Sequence, residues 1–288
     1  MNTAVVVVVV AAVAIVAGVF GFHLLTLLWR VSFDGVTPPG LWQAALGEIP
    51  AFLRIFWWGV TGRLRLTPED VDPDAAVVVV LVHGALADGS CTTGWKQALV
   101  AAGVTAPILA PDHGVVVRAL EIHAQRTRAY LDRIRARAPG AKLVFVGHSM
   151  GGLVIRRLLA DDEELRAATV GVVTVASPHA GTQSVRRFGL HLGAGHLHVG
   201  HAGFTGLPPL EQLVSRSAFI ASAVDAIVYP KATSLPGSLA DQSPGGCEAF
   251  SFDDVGHAGL LVSPAVGLQV ATLVGLMIEA AAGDVVDG

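Results

Sequence analysis

Hydrophobic positions fall along this chain in three patterns. The first is an unbroken run. From Ala4 to Trp29 no residue carries a formal charge, and Val5 to Val10 are six consecutive valines. A helix of that length spans about 39 Å, more than the roughly 30 Å hydrocarbon core of a bilayer. Residues 1–30 are therefore expected to form an uncleaved, single-pass transmembrane anchor. A cleaved signal peptide is the rival reading. It needs a basic start and a shorter apolar core, and no Lys or Arg precedes this run. Arg30 alone gives a slight positive-inside bias, toward the cytoplasmic side.

The second pattern is aromatic. Trp29, Trp42, Trp57 and Trp58 lie close together, joined by Phe52 and Phe56, with Arg54, Arg63 and Arg65 nearby. Rings flanked by arginines suit the headgroup region, where an amphipathic ring keeps one edge wet. The alternative is that these rings pack on a globular domain. Thr67 to Asp74 (TPEDVDPD) is polar and reads as a linker. Residues 31–74 are thus expected to be an amphipathic, membrane-proximal segment ending in that linker.

The third pattern fills residues 75–288. Short continuous apolar runs alternate with longer amphipathic stretches. Val77–Val82 (VVVVLV) has no polar alternation and stops at His83-Gly84, as a strand buried on both faces of a parallel sheet would. Further strands are expected at Pro107–Ala110, Lys142–Val146, Thr169–Ala176, Phe219–Ala223 and Glu248–Phe252. Helices are expected at Thr93–Ala102, Val117–Ala138, Met150–Leu159 and Leu261–Ala281. Strict alternation of this kind predicts an α/β fold with a mostly parallel central sheet flanked by helices. Gly181–Ser217 breaks the rhythm. It is rich in Gly and His and reads as a lid insertion, with Phe204, Leu207, Leu210 and Leu213 as an apolar face.

Composition narrows the choice. The chain has 288 residues, 52% of them apolar and only 15% charged. Disorder needs the opposite balance. A net charge of -4 shows no basic footprint for nucleic acid. Two cysteines, Cys91 and Cys247, cannot build a disulfide scaffold or a four-thiolate zinc site. They are not expected to pair, since they fall at different ends of the sheet.

The sharpest chemical signal is Gly147-His148-Ser149-Met150-Gly151, set between the strand KLVFV and the helix MGGLVIRRLLA. A turn this tight strains the serine backbone and leaves no room for side chains at Gly147 and Gly151. It lifts the Ser149 hydroxyl above the sheet edge as a nucleophile. A serine needs a base, and partners in this architecture follow in the order Ser, acid, His. His257 is the one histidine beyond residue 201, placed after the last strand. Asp225 follows the preceding strand and is the expected acid. Asp253 and Asp254 compete, with Asp241 as a remote third. The Met150 amide and the Ala85 amide, just past His83-Gly84, are the expected oxyanion donors.

These segments resemble bacterial lipases and esterases of the α/β-hydrolase superfamily. The resemblance rests on LVHG at 81–84, VGHSMGG at 146–152, SPHAGT at 177–182, VDAIV at 224–228 and VGHAGLLVSP at 255–264. Ser177 stands where such lipases more often carry Thr, and the N-terminal segment lies outside the pattern. The resemblance implies cleavage of carboxylic esters with acyl or aryl chains through an acyl-enzyme, without a cofactor. It fits an ester or lipid substrate; the expected place in the bacterial cell envelope, on an undetermined side of the membrane, comes from the N-terminal run instead. An acyltransferase or thioesterase would use the same triad, and a non-catalytic hydrolase-like binding protein would share the fold. His191, His196, His198 and His201 cluster in the insertion, but a polar lid is preferred there to a metal site. His83 and His179 are expected to organise the catalytic loops.

Overall fold

In a computed structural model, residues 39–61, 67–115, 118–184, 206–229, 231–235 and 247–283 are described, with isolated positions at 10–26 and at Leu197. A six-stranded sheet runs through the centre: β1 (Val77–Val82), β2 (Ile108–Leu109), β3 (Lys142–His148), β4 (Thr169–Val175), β5 (Ser217–Ser222) and β6 (Cys247–Phe252). The order is β2-β1-β3-β4-β5-β6, and every pairing is parallel. All six strands therefore end at one edge. The chain places β2 on one side of β1 and β3 on the other. That change of direction opens a crevice at the carboxyl ends of β1 and β3.

The continuous valine run of β1 has a simple cause. Val78, Val80 and Val82 enter one core, while Val79 and Leu81 enter the other. On the first face lie α3 (Leu120–Arg137) and α4 (Met150–Asp161); on the second lie α2 (Thr93–Ala101) and α8 (Pro264–Gly283). In α3 the buried positions Leu120, His123, Ala124, Thr127, Leu131 and Ile134 recur at helical spacing, so one stripe meets the sheet. Nine residues of α4 are buried, because the sheet covers one side and neighbouring segments the other. Gly171 brings α8 close to β4, since a Cβ there would lie 2.6 Å from the Met277 Cγ.

Several boundaries differ from the sequence reading. The expected closing helix is two elements, α7 (Gly259–Val262) and α8, divided at Ser263-Pro264. Proline is suited to the first turn of a helix and not to its interior. A short helix, α5 (Glu163–Ala168), was not expected; Asp162 caps it by accepting from the Leu165 amide at 2.9 Å. The end of the expected lid is core. Leu210 and Leu213, in α6 (Leu210–Leu213), are buried under α4, and β5 starts at Ser217. The rest of the 181–217 insertion, including its four histidines and Phe204, lies mostly outside the described residues.

The N-terminal segment gives the largest difference. The Ala4–Trp29 run lies mostly outside the described residues; Val10, Val13, Ala14, Ala17, Gly18, Gly21, Leu25 and Thr26 are helical. Beyond it, α1 (Leu41–Thr61) is a helix that continues through Pro50. Its inner face buries Leu41, Ala44, Glu48 and Ala51. Trp58 reaches Gly94, where a Cβ would lie 3.2 Å from the indole. Trp42 and Trp57 point away from the domain, 57% and 63% exposed. The inner face of the aromatic segment thus packs on the domain, while Trp42 and Trp57 stay exposed. α1 packs on the domain that follows, across the boundary expected between residues 74 and 75. The TPEDVDPD stretch is ordered as well. The Thr67 amide donates to the Asp70 carboxylate at 2.7 Å, Val71 is buried, and Arg133 pairs with Glu69.

Among the described residues, α8 is the helix long and apolar enough to cross a membrane. Its inner residues Val266, Val270, Val274 and Met277 are part of the core, so its apolar character has a globular cause.

Removal of α1 should therefore damage the domain as well as any anchor. A chain starting at Pro73 should melt lower than one starting at Pro39 by on the order of 10 °C, given the apolar area lost. Calorimetry on both would check this; equal melting temperatures would make α1 a mere attachment.

Candidate active site

Because all strands end at one edge, the loops that follow them meet there. Ser149 follows β3, Asp225 follows β5 and His257 follows β6. Ser149 adopts φ 53° and ψ −124°, a region that costs a non-glycine residue about 1–3 kcal/mol. Its amide is tied to the Val175 carbonyl at 2.8 Å, which holds the turn against β4. The expected glycines are sterically required. A Cβ at Gly147 would sit 2.7 Å from the Gly152 nitrogen, and one at Gly151 would sit 2.6 Å from the His83 carbonyl oxygen. Close approach of the β3–α4 turn to the end of β1 is what demands them.

Asp225 is 1% exposed, yet its carboxylate is fully engaged. Oδ1 accepts from the Ile227 and Val228 amides at 2.7 and 2.8 Å. Oδ2 lies 2.7 Å from His257 Nδ1. The competing acids Asp253 and Asp254 are exposed, and Asp241 lies outside the described residues. Burial alone would depress His257. The charge and hydrogen bond of Asp225, with a further contribution from Glu48, outweigh it, and the His257 pKa is raised. This is the environment expected of an imidazole that must carry a positive charge transiently.

His148, the residue before Ser149, carries the contact between elbow and histidine loop. Its Nε2 donates to the His257 carbonyl at 3.2 Å, and the two rings lie 4.7 Å apart. Burial, and then the charge of His257, hold the His148 pKa well below its usual value, so His148 stays neutral. Trp95 packs edge-on against His148 and donates to the Leu260 carbonyl at 3.0 Å. Asp225 and His257 are thus hydrogen-bonded, and His257 is docked on the elbow. Among the described residues the Ser149 hydroxyl makes no hydrogen bond to His257.

The loop after β1 completes the arrangement. Gly84 faces the elbow; a Cβ there would be 3.0 Å from the Ser149 Cβ and 3.2 Å from His148 Nδ1. Ala85 comes next in the chain, and Met150 opens α4 directly after Ser149. Three buried histidines brace this loop. The His113 amide donates to His83 Nε2 at 3.3 Å, so His83 Nδ1 donates to the Gly84 carbonyl at 2.8 Å. His113 Nε2 in turn donates to the His83 carbonyl at 2.9 Å, which leaves its Nδ1 to accept from His123 Nδ1 at 3.0 Å. His123 Nε2 accepts from the Arg118 amide at 3.0 Å. One tautomer at each ring satisfies the whole chain. Burial, followed by neighbouring charge, lowers His113 to about 3, in keeping with a neutral ring at that position.

His83 is bonded within the loop after β1, whereas the ring of His179, the other expected organiser, meets the Thr174 hydroxyl at 3.1 Å. Thr182 donates to the Ile227 carbonyl at 2.7 Å and Ser184 to the Ala226 carbonyl at 3.0 Å, both on the acid loop. Arg156 gathers the carbonyls of His179, Pro208 and Leu207 at 2.9, 2.8 and 2.6 Å. Sequence reasoning passed over His113, His123, Arg156 and Glu48. His113 had a signal, since Asp112-His113-Gly114 follows β2 at the same sheet edge. Among the described residues no group of three His, Cys, Asp or Glu side chains is set to hold a metal. Cys91 and Cys247 are free thiols, and burial pushes Cys91 upward.

The family model of the PGAP1-like alpha/beta domain matches residues 118–193, the stretch that contains the elbow. Aspergillus fumigatus lipase B superposes with a TM-score of 0.57 at 16% identity, over 70% of this chain. The chain spans about half of that lipase, 53% of its length. Bacillus licheniformis lipase BlEst2 gives 0.53 at 16% identity, over 72% of this chain and 94% of its own. The thermophilic carboxylesterase EstE1 from a metagenomic library gives 0.52 at 14%, over 72% and 81%. This is an α/β-hydrolase fold. No curated protein matches the sequence.

On this fold, the raised His257 pKa sets a sign for pH dependence. A base must be neutral to accept the serine proton, so reactivity should rise with pH through a midpoint above the ordinary imidazole value of about 6.5. Asp225→Asn removes the charge that raises it, and should lower both the midpoint and the rate. The rate of Ser149 capture by a fluorophosphonate, measured from pH 5 to 9, reads both; an unshifted midpoint in Asp225→Asn would remove Asp225 from the site.

Proposed function

We propose that this protein is a serine hydrolase of carboxylic esters, a lipase or carboxylesterase that works through an acyl-enzyme. The observation that carries the reading is the Asp225–His257 hydrogen bond, docked through His148 on a strained elbow that presents Ser149. In this mechanism His257 takes the Ser149 proton as Oγ attacks the ester carbonyl. The negative charge that develops on the carbonyl oxygen falls to the Ala85 and Met150 amides, and losing one such donor typically costs on the order of 10²–10³ in turnover. His257 then protonates the leaving alcohol. A water activated by the same imidazole releases the acid and restores Ser149. Asp225 keeps His257 Nδ1 protonated and stabilises the imidazolium; it does not take the proton itself. No step calls for a cofactor.

The substrate class we favour is an acyl ester presented at a membrane, with residues 1–30 as a single-pass anchor in the cell envelope. Two features support this setting. The Ala4–Trp29 run is uncharged over a length sufficient to span a bilayer. The outward face of α1 is also apolar: Trp42, Leu46, Leu53, Trp57 and Val60 are all exposed and share one side of the helix. Surface helices normally turn polar residues to solvent, and contiguous exposed apolar area marks an interaction site.

Ser149→Ala should abolish cleavage of p-nitrophenyl esters, by about 10⁴-fold or more, and should block fluorophosphonate labelling while melting as the parent does. Retained turnover in that variant would refute the assignment. With the parent enzyme, an acyl-chain series should favour long chains in vesicles or micelles; transfer to an added alcohol or thiol in preference to water would mark an acyltransferase instead. The anchor has its own check. The full chain should stay with membranes through high salt and alkaline carbonate, and release by either treatment would exclude a spanning segment.

A further inference from the structure

The inner face of α1 carries one charged residue, Glu48, among Leu41, Ala44 and Ala51. Glu48 is 0% exposed. A carboxylate so placed costs several kcal/mol unless hydrogen bonds replace its water. Here both oxygens are bonded to the histidine loop. Oε2 accepts from the Ala258 amide at 3.0 Å and Oε1 from the Gly259 amide at 2.6 Å. These are the two amides directly after His257.

The loop sequence Gly256-His257-Ala258-Gly259 is shaped for this contact. A Cβ at Gly256 would lie 2.6 Å from Glu48 Oε1 and 2.7 Å from its Cδ. A Cβ at Gly259 would lie 3.2 Å from the same oxygen. The glycines on either side of His257-Ala258 therefore clear the approach for a carboxylate that comes from 210 residues away in the chain. Neither glycine has a backbone conformation that calls for glycine; among the described residues, positive φ falls elsewhere.

We propose that Glu48 is a positioning residue for His257, a second carboxylate that seats the histidine loop from α1 and stabilises the imidazolium during turnover. The proposal rests on the Ser149-Asp225-His257 reading. Three ionisable groups face His257: Asp225 from the β5 loop at Nδ1, His148 from β3 against the ring and carbonyl, and Glu48 from α1 behind the following amides. His148 is neutral, so Asp225 and Glu48 supply the negative charge around the base. Both act in the direction that raises His257, after burial has lowered it. Asp225 orients the ring; Glu48 fixes the backbone that carries the ring.

The test compares Glu48→Gln, Glu48→Asp and Gly256→Ala in the full-length protein, by kcat/KM against pH with a p-nitrophenyl ester and by melting temperature. Glu48→Gln keeps an acceptor and the size but loses the charge. It should lower kcat/KM by about 10- to 100-fold and move the rising limb down by up to about one pH unit. Glu48→Asp keeps the charge and should restore the limb toward the parent position. Gly256→Ala leaves Glu48 intact but displaces its carboxylate, so it should shift the limb in the same direction as Glu48→Gln. It supplies the answer should Glu48→Gln fail to fold. A folded Glu48→Gln or Gly256→Ala with the parental limb overturns the proposal, even if melting temperature falls, because a purely structural role would not set the limb. Loss of activity in Ser149→Ala alongside a parental limb in these variants would refute Glu48 alone. Full activity in Ser149→Ala would refute the underlying triad.

Discussion

Ser149 is held at φ 53° by its surroundings and not by its own preference. The strain of about 1–3 kcal/mol persists only because neighbouring elements over-determine the turn. β3 must run straight into α4, β4 must offer the Val175 carbonyl, and β1 must end close enough for Gly84 to touch the serine. All of this follows from parallel strands ending at one edge. With an antiparallel β1 or β4, the loops that hold the elbow would leave from the opposite end of the sheet. The valine-rich strands thus help to set the conformation of Ser149, since both faces must be buried for the sheet to be parallel and central.

Strong constraints on the elbow leave the histidine loop to be positioned separately. It follows β6, which among the described residues is an edge strand with a neighbour on one side only. An edge position supplies little support, and the fold adds it from elsewhere. His148 holds the His257 carbonyl, Trp95 holds the Leu260 carbonyl, and Glu48 holds the amides of Ala258 and Gly259. The Ser222 hydroxyl adds a bond to the Val255 carbonyl at 2.6 Å. Four side chains from different parts of the chain satisfy backbone groups of one short loop. Buried polar groups must be paired, so the same bonds that satisfy the loop also fix where the imidazole stands.

How much of this was legible in the sequence depended on whether the signal was local. The six strands, the elbow turn and the pairing of Asp225 with His257 were readable because each rests on a short run in a required context. Burial on both faces makes β1 continuous; steric crowding makes Gly147 and Gly151 obligatory. Glu48, His113, His123 and Arg156 were not readable, because each meets partners far along the chain and no spacing announces it. His123 looks like one more position on a helical stripe until His113 is placed beside it. The division at Ser263-Pro264 was missed for another reason: apolar residues on both sides disguised a break that the proline marks.

α1 misled in an instructive way. Periodicity assigns the apolar side of a helix to the core, and here the rule is partly reversed. The side toward the protein carries a carboxylate, and the side away from it carries Trp42, Leu46, Leu53, Trp57 and Val60. Neither face is what an ordinary surface helix would show. A charged residue on the inner face is tolerated only because the histidine loop supplies two amides, and an apolar outer face is tolerable where something other than water covers it. If that cover is a bilayer, the helix that rests on the lipid is also the helix that seats His257. Anchoring and catalysis would then share one rigid element. The two faces of α1 are the width of a helix apart, about 10 Å with its side chains, so under that reading a change in how α1 was seated would reach His257 through Glu48 without any other part of the fold having to move.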